Sequence, residues 1–194
     1  MSTSWRLRGD ASPARRHARG VTLVELVVCL AVIGVLAAGA LQFSPPIVTN
    51  IRLTSASNGF LAHLALVRSE AIKRNASAAL CKSADGEHCA LTGGWEQGWI
   101  AFHDANDNGL HEAGEAVILR AQPLARGLRF SGNGTMARYV SFGASGRTQA
   151  TNGAFQAGTL TVCQVSTQTN EARQIVINAT GRARVRRAVL PRCD

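Results

Sequence analysis

"RRHARGVTLVELVVCLAVIGVLAAGAL", residues 15–41, decides the reading of this chain. From Val21 to Leu41 every residue is apolar or small apart from Thr22 and Glu25. At about 1.5 Å of rise per residue, a helix over this stretch spans roughly 30 Å, the thickness of a bilayer's hydrocarbon core. Arg15, Arg16 and Arg19 stand just before it and assign that end to the cytoplasm. A secretory signal would have a shorter apolar run and a small-residue cleavage site beyond it, whereas Gln42-Phe43-Ser44-Pro45-Pro46 follows here. Glu25 is the anomaly. An ionised carboxylate within lipid costs several kcal/mol, so it implies a partner and a task.

Gly20-Val21-Thr22-Leu23-Val24-Glu25 resembles the prepilin peptidase site of type IV pilins and pseudopilins. The resemblance implies cleavage after Gly20 on the cytoplasmic side, N-methylation of Val21, and retention of the apolar helix in the product. It also implies a role for Glu25, pairing with the amino terminus of a neighbouring subunit during assembly. Val21 stands where the family usually has Phe. The expected organisation is a leader over 1–20, a transmembrane N-terminal helix over 21–44, and a periplasmic globular domain over 45–194 with a basic tail at 181–194. Localisation follows: a single pass through the bacterial inner membrane, with incorporation into a pilus or pseudopilus.

About 150 residues beyond the span suffice for one domain with a modest core. The formal charge is +9, and the leader's five arginines and one aspartate leave +5 on the mature chain. Topology signals do not account for that surplus. Of the five cysteines, four lie outside the span and suit an oxidising compartment such as the periplasm. They allow three connectivities; Cys81–Cys89, bracketing a polar step, and Cys163–Cys193, near the C-terminus, are the expected pairs. Zinc, recruiting His88 or His103, is disfavoured because no paired CxxC exists. Cys29, in the span, reads as a small apolar filler.

Pro45-Pro46 breaks or kinks the helix past the membrane. In "NIRLTSASNGFLAHLALVRSEAIKRN", Leu53, Phe60, Leu64, Val67 and Ala71 form one apolar stripe of an amphipathic helix. Glu70 can pair with Lys73 and Arg74 on its other side. Beyond it, "ASAALCKS", "GWIAFHD", "EAVILRA", "LRFSG", "ARYVSFG", "GTLTVCQV" and "RQIVINATGRARV" are seven short apolar or alternating runs divided by Gly, Asn and Asp. The expected class is α+β and pilin-like: a long N-terminal helix, transmembrane in its lower half, packed on a domain of one or two antiparallel sheets.

"LVRSEAIKRN", "LCKSADGEHC", "GWEQGWIAFHDANDNG" and "GEAVILR" together resemble the FimT/GspH group of minor pseudopilins. In that group, GspH-like proteins sit near the tip of the type II secretion pseudopilus. FimT-like proteins belong to type IV pilus systems, and some bind DNA for natural transformation. The implied partners are other pilins, the prepilin peptidase, the inner membrane and, on the FimT reading, double-stranded DNA. No cofactor is implied. The five histidines are scattered and no nucleophile has a recognisable partner, so an enzyme is not expected.

Residues 104–115 satisfy the calcium-loop pattern D-x-[DN]-x-[DN]-G-x5-E through Asp104, Asn106, Asn108, Gly109 and Glu115. The flanks read as strands rather than helices, and His111 stands where an aliphatic residue is usual. The favoured reading is a β-hairpin connection using Asn, Asp and Gly for turn geometry.

The tail "ATGRARVRRAVLPRCD" carries Arg182, Arg184, Arg186, Arg187 and Arg192. Gly181-Arg182-Ala183-Arg184 resembles the GRxR motif of DNA-binding FimT proteins. Independently, arginine presents a planar fork suited to phosphate oxygens. On an extended strand Arg182, Arg184 and Arg186 share a face at about 6.6 Å spacing, close to that of neighbouring phosphates. Gly181 is expected to permit a tight turn and let a phosphate approach the backbone. Arg138 and Arg147 are candidate extensions of the patch. The tail has no aromatic residue, so binding should be sequence-independent and salt-sensitive rather than stacking-based. The competing readings are a solvated basic strand whose arginines pair with the domain's own acids, and a GspH-like tip subunit acting through protein contacts alone.

Overall fold

The computed structural model describes residues 21–40, 45–165 and 171–193. The leader, Gly20 included, and residues 41–44 lie outside them. The chain divides into two compact units, one up to Phe43 and one from Ser44 onward.

The first unit is α1, Leu23–Ala40. Thr22 caps it: its Oγ1 accepts the Glu25 amide at 3.2 Å, and its carbonyl accepts the Leu26 amide. Thr22 and Glu25 thus occupy the first and fourth positions of a capping box, which also sets the carboxylate against the positive end of the helix dipole. The described α1 side chains, nearly all aliphatic, are exposed. Among the described residues no helix is long and apolar enough to cross a membrane. At roughly 1.5 Å per residue the helix is a little shorter than the hydrocarbon core, and the expected span of 21–44 continues into residues outside the description.

The second unit begins with α2, Pro45–Arg74. Proline is tolerated in a first helical turn, where its missing N–H has no intrahelical acceptor to lose. The stripe Leu53, Phe60, Leu64, Val67 and Ala71 is buried throughout. At its far end Glu70 meets Lys73 and Arg74 at 3.6 and 3.3 Å.

Eight strands follow: β1 Ala78–Lys82, β2 Trp99–His103, β3 Val117–Ala121, β4 Leu128–Gly132, β5 Tyr139–Phe142, β6 Gly158–Gln164, β7 Glu171–Ile177 and β8 Ala183–Val189. They form two four-stranded antiparallel sheets, ordered β3-β2-β1-β5 and β4-β6-β7-β8. Seven apolar runs yield eight strands because "RQIVINATGRARV" is not one strand. It folds back on itself at Asn178–Gly181, giving β7 and the start of β8.

One core unites α2 with both sheets: Leu80, Ala101 and Val140 from the first, Phe130, Leu160, Val162, Ile175 and Ile177 from the second. At its centre Phe60 meets Trp95, Trp99 and Phe130 edge-on, with centroids 4.9–5.2 Å apart, the arrangement that ring quadrupoles favour. The opposite face of the first sheet carries a smaller cluster of Ala79, Cys81, Ile100, Phe102 and Tyr139. Loops cover it, one of them tied down by a Cys81–Cys89 disulfide.

Candidate nucleic-acid interface

The arginine tail is a strand. β8 is an edge strand of the second sheet, paired antiparallel with β7 in unbroken register from Glu171↔Val189 to Ile177↔Ala183. Strand side chains alternate between faces. Ala183 and Val185 turn inward and pack against the core. Arg184 and Arg186 point outward and are exposed. The same parity reaches Arg182, also exposed, whose carbonyl accepts the Asn178 amide at 3.1 Å. Arg186 is steadied by its neighbour strand, its Nε donating to Gln174 Oε1 at 2.9 Å. Among the described residues, no carboxylate forms an ion pair with Arg182, Arg184, Arg186 or Arg187.

Parity separates Arg187 from this row. It stands opposite Arg173 in the register, on the side facing α2, where Arg173 is buried and donates to Asn50 Oδ1 and the Ala172 carbonyl. Adjacent arginines on one strand cannot share a face, so only one of Arg186 and Arg187 joins the outward row.

Asn178 organises the turn that sets this row. Its carbonyl accepts the Gly181 amide at 2.9 Å, and its side-chain oxygen accepts the Arg182 amide and the Thr180 hydroxyl at 2.9 and 2.8 Å. Gly181 adopts φ +78°, open to glycine at little cost. It does not offer its backbone to an outside phosphate: it is buried, and a Cβ there would collide with the Gly146 carbonyl oxygen. Its own carbonyl takes Arg68 Nη1 from α2 at 3.2 Å. Gly181 therefore seats the turn against the domain, and Arg68 braces it. The Gly146 contact brings exposed Arg147 beside this turn. Arg138 instead lies at the far end of β5, beside Cys81 and Tyr139.

The tail is held by a Cys163–Cys193 disulfide with Cα atoms 5.8 Å apart. Cys163 is on β6, one strand beyond β7, and on the outward face, in register with Ala172. The segment after β8 therefore crosses β7 on the face that carries Arg184 and Arg186.

Residues 104–115 connect β2 to β3 as a hairpin loop. Asp104 Oδ1 accepts the Asn108 amide and Oδ2 the Gly109 amide, at 3.0 and 2.9 Å. Glu115 accepts the amides of Ala105 and Glu112 at 2.9 and 3.0 Å. Burial pushes the Asp104 carboxyl above the usual carboxylate range, against the pull of those two amides. Among the described residues no group of three or more His, Cys, Asp or Glu is placed to hold a metal ion.

Val21 and Glu25 are both exposed at the start of α1, and Cys29 is a free, exposed thiol on the same helix.

Residues 56–181 match the family described as type II transport protein GspH, and residues 15–41 match the prokaryotic N-terminal methylation motif. No curated protein shows significant sequence similarity. Among solved structures, the chain is similar to the type IV minor pilin FimU of Pseudomonas aeruginosa in two crystal forms. In space group P21 the TM-score is 0.55 at 19% identity, covering 75% of this chain and 97% of that one. In space group P65 it is 0.53 at 19%, covering 73% and 100%. The minor pseudopilin EpsH of the Vibrio cholerae type 2 secretion system gives 0.47 at 14%, covering 71% and 97%.

Proposed function

The chain belongs to the GspH family, and we propose that it is a minor pseudopilin of a type IV pilus system that binds double-stranded DNA without sequence preference during uptake for natural transformation. Arg182, Arg184 and Arg186 are the contact residues, with Arg187 and Arg192 adding longer-range attraction. The observation that carries this reading is the row of exposed arginines along edge strand β8 and the residue before it, which among the described residues no acid neutralises. Alternating arginines on an edge strand would also deter sheet-to-sheet association, and DNA binding separates the two roles.

The N-terminal part of the proposal rests on the methylation motif and on α1. A helix with aliphatic residues on every side needs lipid or other helices around it. Prepilin peptidase cuts after Gly20, Val21 becomes the methylated N-terminus, and 21–44 anchors the chain in the inner membrane. Residues 45–194 then lie in the periplasm, where both disulfides are stable. Glu25 pairs with the amino terminus of a neighbouring pilin. The second reading is a tip subunit of a type II secretion pseudopilus acting through protein contacts, and the family's own description favours it.

The deciding experiment is DNA binding by the full chain in detergent, followed by anisotropy of a labelled duplex. The R182Q/R184Q double variant should bind at least tenfold more weakly, about 1.4 kcal/mol, having lost two charge-assisted contacts. Its log–log salt dependence should be shallower by about two phosphates. In cells the variant should be processed and support pili yet lose transformation. A wild-type chain that leaves DNA free at low salt, or a double variant as tight as wild type, leaves the tip-subunit reading in place.

A further inference from the structure

We propose that the DNA track does not end at β8 but continues across the outward face of the second sheet to β4; this rests on the DNA reading above and extends its footprint. The register supplies the argument. Ser131↔Thr161, Thr161↔Gln174 and Gln174↔Arg186 align as one row across all four strands. Beside it, Thr159↔Val176 and Val176↔Arg184 form a second row. At about 4.8 Å between strands the first row runs roughly 14 Å, longer than the separation of neighbouring phosphates.

The composition of this face is selective. The inward positions of these strands include Leu128, Phe130, Leu160, Val162, Ile175 and Ile177, with Glu171, Arg173 and Arg187 toward the strand ends. The outward positions of β4, β6, β7 and β8 hold arginine, serine, threonine, glutamine and small or apolar residues, with no aspartate or glutamate in any of the four strands' outward rows. Among the described residues, the carboxylate paired with them is Glu96, bound to Arg129 at 3.2 Å on the far edge strand. Hydroxyl and amide side chains are, with arginine, the groups that hold nucleic-acid backbones in register without reading sequence.

The hydroxyls of Ser131, Thr159 and Thr161 make no hydrogen bond within the protein among the described residues. With its Oε1 taken by Arg186, Gln174 retains its amide NH2 as a donor. A shallow depression of about 310 Å³ lies over this row, lined by Ser131, Asn133, Thr159, Thr161 and Gln174. The disulfide-held tail crosses beside it. Among the described residues, a phosphodiester strand entering over Arg184 and Arg186 would find donors, and no carboxylate on the four strands' outward rows, until it reached Glu96.

Lysine placed on this face reads the track directly, because each added phosphate contact steepens the log–log salt dependence by about 0.9. Ser131→Lys, on an exposed edge-strand site that tolerates the charge, and Thr161→Lys are each compared with wild type in the full chain in detergent, on the same duplex. Asn58→Lys, on the exposed side of α2, is the control for added charge alone. The expected result is a roughly threefold or greater gain in affinity at low salt. The salt dependence steepens by about one phosphate for either face variant and stays unchanged for the control. Unchanged salt dependence in both face variants, while R182Q/R184Q still binds at least tenfold more weakly than wild type, overturns the extended track and leaves the β8 reading standing. A gain matched by Asn58→Lys also overturns it. A wild-type chain that binds no DNA overturns the β8 reading, and this one with it.

Discussion

Replacing Gly181 with alanine tests whether the arginine row is set by a turn seated against the domain. Two costs follow from the structure. The first is conformational: φ +78° lies in the left-handed region, which costs a residue with a Cβ about 1–2 kcal/mol. The second is steric. The new Cβ would overlap the Gly146 carbonyl oxygen and stand 3.3 Å from Phe142 Cε1 and 3.4 Å from Arg68 Nε. A carbonyl in a loop cannot withdraw as a flexible side chain can, so backbone must shift, at about 1–3 kcal/mol. Together these give about 3 kcal/mol, or roughly 6–12 °C in Tm for a domain of this size. Gly127→Ala isolates the first cost, because φ there is +86° and a Cβ would meet nothing within 4 Å. At about 1.5 kcal/mol it should lower Tm by only roughly 3–6 °C. Calorimetry of both variants provides the comparison, with DNA affinity measured alongside. Gly181→Ala should also weaken DNA binding, since the shift displaces Arg182. If both variants melt together, the Gly146 contact is not what requires glycine. If Gly181→Ala melts low but binds DNA normally, the turn does not position the row.

Three further outcomes are expected. Reducing Cys81–Cys89 and Cys163–Cys193, with sequence separations of 8 and 30, should cost about 2.5 and about 3.5 kcal/mol respectively in the chain-entropy account, read by urea unfolding of Cys→Ser pairs. The Asp85 carboxylate, 2.8 Å from His88 Nδ1, raises the imidazole above its usual value. The stabilisation from the protonated ring is thus complete below about pH 6.5 and lost as pH climbs through the folded value. NMR should show the raised His88 midpoint, and Asp85→Asn should return it toward the ordinary value. Mass spectrometry of the native protein should find a chain beginning at N-methylated Val21; Gly20→Ala should block maturation, Glu25→Ala should impair assembly, and an N-terminus beyond Leu41 contradicts the processing proposal.

What was legible in the sequence was what depends on local period. The stripe from Leu53 to Ala71 could be read because a helix repeats every three to four residues, and all five residues are buried. The strands could be read as apolar runs between breakers. The hairpin inside "RQIVINATGRARV" is only weakly marked, by Gly181, because Asn178-Ala179-Thr180-Gly181 carries only two turn residues and lacks proline. Its asparagine acts through side-chain bonds that spacing does not reveal. Strand parity sets Arg187 apart from Arg182, Arg184 and Arg186 in the sequence already, and the register places it opposite Arg173. The tight turn at Gly181 is legible in the sequence, but the contact that demands glycine there is not, because the atom that excludes a Cβ belongs to Gly146, thirty-five residues earlier. Thr22-x-x-Glu25 is also a capping pattern, overlapping the family motif on the same residues.

The outward face of the second sheet is not legible in the sequence beyond the arginines of β8, and the reason is physical. A single strand shows which of its residues share a face but not which residues of other strands lie beside them. Ser131, Thr161, Gln174 and Arg186 span 55 positions of chain and become one row only through three registers. The alternation that fills the core with Leu160, Val162, Ile175 and Ile177 fixes those registers, since a slip of one residue would bury Thr161 and expose Val162. The apolar face therefore determines the polar one. Changes that keep the core can still alter every outward residue freely, so a row of hydroxyls, amides and arginines lacking any acid is not forced by folding. Edge protection would account for charge on β8 and β4, where backbone groups lack a strand partner, but not for hydroxyls and an amide on the central strands β6 and β7. The central strands are where a bound polyanion and mere solubility make different demands: solubility is served equally well by glutamate, and a phosphate backbone is not.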